Sequence, residues 1–216
     1  MSLDRADFIR TQTRLHAPPL VPEIVLHLAA RATDLWEATE VTLEATGLPP
    51  PYWAFAWPGG RALARLLLDR PELARGRRVL DFAAGCGIAG IAAAKSGAAH
   101  VTASEIDAFA GAAMELNAAA NGVALDVRLD DVTALDPPPS WDLILAGDVF
   151  YEKPMAERIW PWLKARKAAG AIVLVADPGR AYLPGSGLAE IACYDVPTDL
   201  DLEDRAIRTT RVLAVD

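Results

Sequence analysis

The sequence predicts an α/β fold with a mostly parallel seven-stranded sheet and helices on both faces. Short apolar segments alternate with helical patterns after residue 60, and this alternation is typical of parallel sheets because parallel strands need crossover connections. A glycine-rich turn at residues 85–90 follows one apolar strand directly. The last two strands are separated only by an acidic segment, residues 198–204, so we expect an antiparallel hairpin at one side of the sheet.

The predicted strands cover residues 78–81, 100–104, 126–129, 141–146, 170–176, 191–196 and 207–215. The predicted helices cover residues 60–69, 87–96, 108–121, 154–168 and 181–187. Residues 1–59 do not show this alternation of strands and helices. Segment 5–15 is amphipathic, a helix is expected from Pro22 through Ala30, and the proline-rich segment 48–51 is expected to be a stiff linker.

Composition is consistent with one domain across residues 1–216, with a core at 60–216 and an extension at 1–59 that forms part of the cofactor and substrate cleft. The net charge of −8 disfavours a nucleic-acid partner, which needs a cationic surface. Lys95 interrupts the longest run of small residues, so no membrane span or membrane partner is expected. Acids near the start disfavour a transit peptide, and we expect a cytoplasmic monomer.

Gly85, Gly87 and Gly90 form a G-x-G-x-x-G pattern, which is found where a backbone approaches a ligand closely. Asp81 ends the preceding strand, where a dinucleotide site normally keeps an apolar residue. A carboxylate about 5 Å from a pyrophosphate charge would cost roughly 3 kcal/mol at an effective dielectric constant of 20. A cationic ligand reverses this sign, which favours S-adenosylmethionine. The alternative is a tight turn that binds no ligand.

Glu105 follows the second strand of this βαβ unit and is expected to accept hydrogen bonds from the ribose hydroxyls of the cofactor. Asp107 competes for this role, but it is better placed to cap the helix that follows. Their neighbours Ala83, Cys86 and Ile106 complete the predicted cofactor site, with Cys86 acting as a small packing residue and not as a nucleophile.

Further candidates follow the other strands, because ligands of doubly wound sheets bind beyond the carboxyl ends of the strands. Either Asp130 or Asp131 is expected to accept from the adenine amino group, and the sequence does not choose between them. Asp148 is expected in the same crevice. Trp57 is either a cation–π partner at the methionine end or a core residue.

Five segments of the chain resemble the seven-strand lysine methyltransferases of methyltransferase family 16. The resemblance covers most of residues 20–185 and is carried by Pro22-Glu23-Ile24, residues 52–60, the glycine turn, Asp148-Val149-Phe150-Tyr151 and Asp177-Pro178-Gly179-Arg180. It implies a Rossmann-like class I methyltransferase fold, with S-adenosylmethionine bound by Asp81, Gly85, Gly87 and Glu105. It also implies a D-x-x-Y motif, Asp148 and Tyr151, at a lysine entrance, and a protein substrate, the β subunit of the electron transfer flavoprotein.

The chemistry of these residues suits lysine methylation. A lysine amine has an unperturbed pKa near 10.4 and must lose a proton before it can attack. Asp148 can attract the ammonium and then align the amine, while Tyr151 can donate a hydrogen bond or present its ring to the cation. No histidine lies near these motifs, so the proton is expected to pass to solvent.

Several alternatives remain open at this point. Within the methyltransferases, the alternative acceptors are another protein, such as a ribosomal one, and a small amine of the nicotinamide type. The alternatives of another class are an NAD-dependent oxidoreductase and a non-catalytic binding module. Asp148 and Tyr151 merely terminate a strand in the simplest interpretation. Asp177 and Arg180 either organise a substrate loop or form a turn. The acidic run at Asp199, Asp201, Glu203 and Asp204 either guides a basic protein surface or is a solvated loop.

Overall fold

The computed structural model of the protein describes residues 4–29, 50–136, 138–200 and 202–216. Its helices are α1 (Arg5–Gln12), α2 (Pro58–Asp69), α3 (Ile88–Lys95), α4 (Ala108–Ala120) and α5 (Lys153–Ala168). Its strands are β1 (Arg14–His16), β2 (Leu26–Leu28), β3 (Arg78–Phe82), β4 (His100–Ser104), β5 (Asp126–Arg128), β6 (Leu143–Gly147), β7 (Ile172–Asp177), β8 (Leu188–Pro197) and β9 (Ile207–Val215). Single 3₁₀ turns occur at Tyr52–Ala54, Pro71–Leu73 and Val132–Ala134.

Seven strands form the main sheet in the order β5-β4-β3-β6-β7-β9-β8. The first five are parallel to one another, whereas β9 is antiparallel to both β7 and β8. The predicted sheet and its C-terminal hairpin are therefore confirmed. The strand order reverses between β3 and β6, which is where doubly wound sheets bind ligands.

Neighbouring residues of the central strands pack into different apolar layers. Val79 and Leu143 belong to a cluster with side chains of α2 and α3, whereas Leu80 and Ile144 belong to a cluster with side chains of α5. This division follows from the period of two along a strand, and it explains why the central strands are apolar along nearly their whole length. The expected helices on both faces are thus present. Among the described residues, no helix combines the length and hydropathy needed to cross a bilayer.

Two expected helices are wrong. The segment predicted as a helix from Pro22 contains β2, which pairs antiparallel with β1; its last residue, Ala30, lies outside the described residues. The burial of Leu26 and Leu28 on either side of half-buried His27 has the period of a strand. Residues 181–187 form turns, and Gly187 has a φ of 78°. Of the predicted linker, residues 48 and 49 lie outside the described residues.

Candidate active site

A cavity of about 840 Å³ opens at the carboxyl ends of β3, β4 and β6. Because these three strands are parallel and adjacent, the residues that follow each of them reach the same edge of the sheet. The cavity walls include the last residues of these strands and those that follow them, at 81–86 for β3, 104–107 for β4 and 147–149 for β6. The aromatic segment, residues 52–57, supplies a further wall that includes Tyr52, Trp53, Phe55 and Trp57.

The turn after β3 is held in an unusual backbone conformation. Ala83, Gly85 and Gly87 have φ values of 51°, 55° and 78°, in the left-handed region that favours glycine. The Gly87 N–H donates to the Ala84 carbonyl at 2.8 Å and closes the turn before α3 begins. Ala83 is strained because it carries a Cβ, and such strain is concentrated at functional sites. Ala83, Gly85 and Cys86 line the cavity, while Gly87 shapes the turn behind it.

Asp81 is buried at the end of β3, and its Oδ2 accepts the Gly90 N–H at 2.7 Å. Burial raises the pKa of Asp81 to about 7, and the nearby Glu105 charge acts in the same direction, whereas the Gly90 hydrogen bond opposes it. A Cβ on Gly90 would lie only 3.0 Å from Asp81 Oδ2. The third glycine of the motif therefore lets α3 approach the carboxylate, which also lines the cavity.

Glu105 is fixed by two backbone amides. Its Oε1 accepts the Gly85 N–H at 3.2 Å and its Oε2 accepts the Ile106 N–H at 3.0 Å. Burial raises the pKa of Glu105, and these hydrogen bonds oppose the shift. The carboxylate keeps further lone pairs toward the cavity. Ile106 is 75% exposed at the cavity edge, and Asp107 caps α4 by accepting the Phe109 N–H at 2.8 Å, as predicted.

The two adjacent acids after β5 have different environments. Asp131 lines the cavity, accepts the Thr133 N–H at 3.0 Å and pairs with Arg158 at 3.0 Å. Asp130 pairs with Arg128 at 2.7 Å and is not among the residues that line the cavity. Of the two candidates, only Asp131 therefore lies at the cavity wall, and its contact with adenine stays a prediction.

The aromatic segment is held together by its own contacts. Trp57 Nε1 donates to the Tyr52 carbonyl at 3.0 Å, and the Trp57 ring lies 6.0 Å from Phe55 and 5.9 Å from Tyr52. The cation beside Trp57 is a residue of this chain, because the Arg180 guanidinium lies 5.8 Å from the ring centroid. Tyr151 is 40% exposed at the cavity wall, and its ring lies 5.8 Å from that of Tyr52. Burial raises the pKa of the Tyr151 hydroxyl to about 12.

Asp148 follows β6 and is held by hydrogen bonds from two other parts of the chain. It has a φ of 56°, in the left-handed region, and its side chain is only 11% exposed. Its Oδ2 accepts the Gly59 N–H at the start of α2, and its Oδ1 accepts Arg180 Nη2 at 2.8 Å and Nε at 3.2 Å. Burial raises the pKa of Asp148 to about 6, although Arg180 and the Gly59 hydrogen bond both favour the carboxylate.

Two glycines allow α2 to reach the end of β6. A Cβ on Gly59 would lie 2.5 Å from the Ala176 carbonyl oxygen and 2.7 Å from the Asp148 backbone nitrogen. A Cβ on Gly147 would lie 2.8 Å from the Gly60 nitrogen. This close backbone approach explains the glycines in the Trp-Pro-Gly-Gly and Gly-Asp segments, and it places the helix N-terminus beside the Asp148 carboxylate.

Sequence reasoning missed the role of Glu203. Its side chain is 3% exposed and accepts Arg180 Nη2 at 2.6 Å and Arg208 Nη2 at 2.9 Å. The solvated-loop interpretation is therefore wrong for Glu203, although Asp204 is exposed and Asp201 lies outside the described residues. Asp177 forms the expected turn by accepting the N–H groups of Gly179 and Arg180. The available signal was Arg180 itself, a cation in a specific motif that needed a carboxylate partner.

Comparison with known proteins identifies the family of the chain. The family model "Methyltransferase small domain" matches residues 55–155. The electron transfer flavoprotein beta subunit lysine methyltransferase of Xenopus laevis is 42% identical over 176 residues, which cover 81% of this chain and 70% of that protein. The Danio rerio protein of the same name is 36% identical over 215 residues, which cover 97% of this chain and 82% of that protein.

A solved structure supports the fold. The ribosomal protein L11 methylase from Lactobacillus delbrueckii subsp. bulgaricus matches with a TM-score of 0.52 at 22% identity, covering 79% of this chain and 83% of that one. These two relatives decide the family, because each is more than 30% identical to this chain over more than two thirds of both proteins. The chain belongs to the family of the electron transfer flavoprotein β-subunit lysine methyltransferases.

Proposed function

We propose that this protein transfers a methyl group from S-adenosylmethionine to a lysine side chain of the electron transfer flavoprotein β subunit. The observation that carries the proposal is the meeting of Asp148 and Tyr151 with the turn after β3 and Glu105 around one cavity. The relatives of Xenopus laevis and Danio rerio, which bear the name of that substrate, support its choice.

The cavity suits a cationic donor better than a dinucleotide. Asp81 and Glu105 both line it, and within the described part of the chain neither has a cationic side chain within 4 Å. Arg158 and Arg180 also line the cavity, but they already pair with Asp131 and with Asp148 and Glu203. An added pyrophosphate would therefore face the Asp81 and Glu105 carboxylates with no free arginine among the described residues beside them, whereas an ammonium or sulfonium would be attracted. Glu105 would hold the ribose hydroxyls, Asp131 the adenine amino group, and the turn at residues 83–86 the methionine part.

The residues at the cavity mouth can prepare a lysine for attack. When bound, S-adenosylmethionine supplies the methyl group: the lysine nitrogen forms a bond to the methyl carbon as the carbon–sulfur bond breaks, leaving S-adenosylhomocysteine. Tyr52 and Tyr151 would flank the aliphatic stem of the lysine and exclude water, which disfavours the ammonium and lowers its pKa. Asp148 would orient the amine after its proton leaves to solvent.

The test is transfer of labelled methyl from S-adenosylmethionine to purified electron transfer flavoprotein. We expect label on the β subunit with the unchanged protein. We expect a loss of about 10²-fold in kcat with Asp148→Asn, since removal of a positioned charged group commonly costs that much. The affinity for S-adenosylhomocysteine, measured by calorimetry, should change by less than about threefold, because Asn keeps an acceptor for the Gly59 N–H.

The matched control is Asp130→Asn, the same substitution at an exposed residue outside the cavity wall. It should transfer label at the unchanged rate. Normal turnover by Asp148→Asn would show that the Asp148 carboxylate has no role in the reaction. Label in another protein or only in small molecules would show that the substrate is not the flavoprotein, while methyl transfer from S-adenosylmethionine would still hold.

A further inference from the structure

A buried chain of charges connects the cavity to the loop between β8 and β9. Arg180 Nη2 donates both to Asp148 Oδ1 and to Glu203 Oε1, and Arg208 donates to the other oxygen of Glu203. These four residues are called the hairpin ion cluster. Arg180 follows β7, Asp148 follows β6, and the other two come from the C-terminal hairpin, so three separate parts of the chain meet here.

The geometry of the hairpin ion cluster is that of a fixed arrangement. The side chain of Arg180 is only 18% exposed, and its partners are more deeply buried still. Breaking one contact of a buried pair leaves an uncompensated charge, which makes alternative rotamers of Asp148 and Arg180 costly. The planar guanidinium binds Oδ1 through two nitrogens and so restricts the position of that oxygen. Together with the Gly59 N–H, which binds Oδ2, it also restricts rotation of the carboxylate.

We propose that Arg180 is a positioning residue that sets the orientation of the Asp148 carboxylate at the lysine entrance, with Glu203 holding Arg180 in place from the C-terminal hairpin. The Asp148 oxygens are then shared between the start of α2 and Arg180, and the lone pairs that remain have a fixed direction for the amine. This inference rests on the proposed methyl transfer to lysine. It assigns to the hairpin a role in the chemistry, through Arg180 and Asp148.

The charges around Asp148 determine what loss of Arg180 would do. The Gly59 N–H and the Arg61 guanidinium act on it from α2, and Asp177 and Arg180 act on it from the end of β7. Glu203 of the hairpin is bonded to Arg180. Arg180 is the cation that bonds Asp148 directly, and Asp177 and burial both disfavour the carboxylate. Removal of Arg180 should therefore raise the pKa of Asp148, and an opposite charge at this range commonly accounts for a shift of about one unit or more.

The experiment compares Arg180→Met, Arg180→Lys and the unchanged protein. With Arg180→Met we expect kcat to fall at least about tenfold. The acid limb of its pH profile contains the lysine and Asp148, and the inflection of Asp148, at about pH 6 in the unchanged protein, should move up by about one pH unit. Arg180→Lys keeps the charge but not the two-nitrogen fork, so it should restore the position of the acid limb and only part of kcat. The KM for the protein substrate should change less than kcat. Arg78→Met, which breaks the exposed pair with Asp142, is the matched control and should leave both quantities unchanged.

A second readout needs no substrate. The pKa of Asp148 is measured by carbon NMR of labelled aspartate, with Asp148→Asn for assignment, and it should rise in Arg180→Met and not in Arg78→Met. Wild-type kcat with an unmoved acid limb in Arg180→Met would overturn the proposal. If Arg180→Met does not fold, an unchanged kcat in Arg180→Lys overturns it instead. If the unchanged protein methylates no flavoprotein, the proposed function fails. The positioning role is then judged separately, and an unshifted pKa of Asp148 in folded Arg180→Met overturns it.

Discussion

At the scale of residues, three acids at the ends of adjacent strands differ in their partners and hence in their chemistry. Burial raises the pKa of Asp81, Glu105 and Asp148 alike. Among the described residues, Glu105 accepts hydrogen bonds from backbone amides, Asp81 accepts one from the first turn of α3, and Asp148 is bound by an arginine as well as a helix N-terminus. The residue type and strand position were readable from the sequence, but most of the partners, such as Gly85 for Glu105 and Arg180 for Asp148, are distant along the chain.

Glu105→Gln tests the acid at the end of β4. Gln keeps the length of the side chain and one carbonyl acceptor, but it loses the charge that strengthens hydrogen bonds to hydroxyl groups. We expect the Kd for S-adenosylhomocysteine to rise about tenfold or more, since a hydrogen bond to a charged group contributes about 1.5–3 kcal/mol. Calorimetry measures this directly. The control is Glu115→Gln on the exposed face of α4, and equal Kd values for the two variants would contradict a ribose contact.

At the scale of elements, local patterns identified the sheet strands, and tertiary contacts decided the exceptions. The apolar strands β3, β6 and β7 and the glycine turn were recognisable because their signals lie within a few residues. The segment around β2 was misread as helical because its backbone partners are distant. Asn117 of α4 and Asn121, just after it, accept hydrogen bonds from the backbone N–H groups of His27 and Val25. No periodicity in residues 22–30 shows this.

Gly59→Ala tests the contact between α2 and the end of β6. The added Cβ would meet backbone atoms of Ala176 and Asp148 at 2.5 and 2.7 Å, and backbone cannot rotate away as a flexible side chain can. We expect a loss of at least about 1–3 kcal/mol in the free energy of unfolding, measured by urea denaturation. Gly185→Ala is the control because nothing lies within 4 Å of its Cβ position and its φ is not positive. Similar stability of the two variants would show that α2 does not sit this close to β6.

At the scale of the whole molecule, the sequence was sufficient to predict the sheet, the edge at which the cavity opens and most of the acidic residues that line it. The sequence was insufficient to predict the hairpin ion cluster, because Arg180 and Glu203 meet only after β8 and β9 fold back onto β7. An acid between polar residues in a loop has the pattern of solvated surface, so the burial of Glu203 has no local signal. Folding of the C-terminal hairpin is thus what completes the surroundings of Asp148.

The raised pKa values of the cavity acids predict how the stability of the whole protein depends on pH. Asp81 has a pKa of about 7 in the folded protein, against an ordinary value of 3.8. Between these values the folded state binds more protons than the unfolded state, so the contribution of Asp81 to the free energy of unfolding falls as the pH rises, and it levels off above about pH 7. His27, whose pKa burial lowers, acts in the opposite direction, so variants must be compared with the unchanged protein.

Asp81→Asn keeps an acceptor for the Gly90 N–H and removes the titration. We expect its stability relative to the unchanged protein to be higher at about pH 8 than at about pH 5.5, because only the unchanged protein then carries a buried, unpaired carboxylate. Urea denaturation at both pH values measures the difference. Asp130→Asn, at an exposed acid, should show no such increase toward pH 8. A pH-independent difference for Asp81→Asn would mean that this carboxylate is already ionised and compensated in the folded cavity.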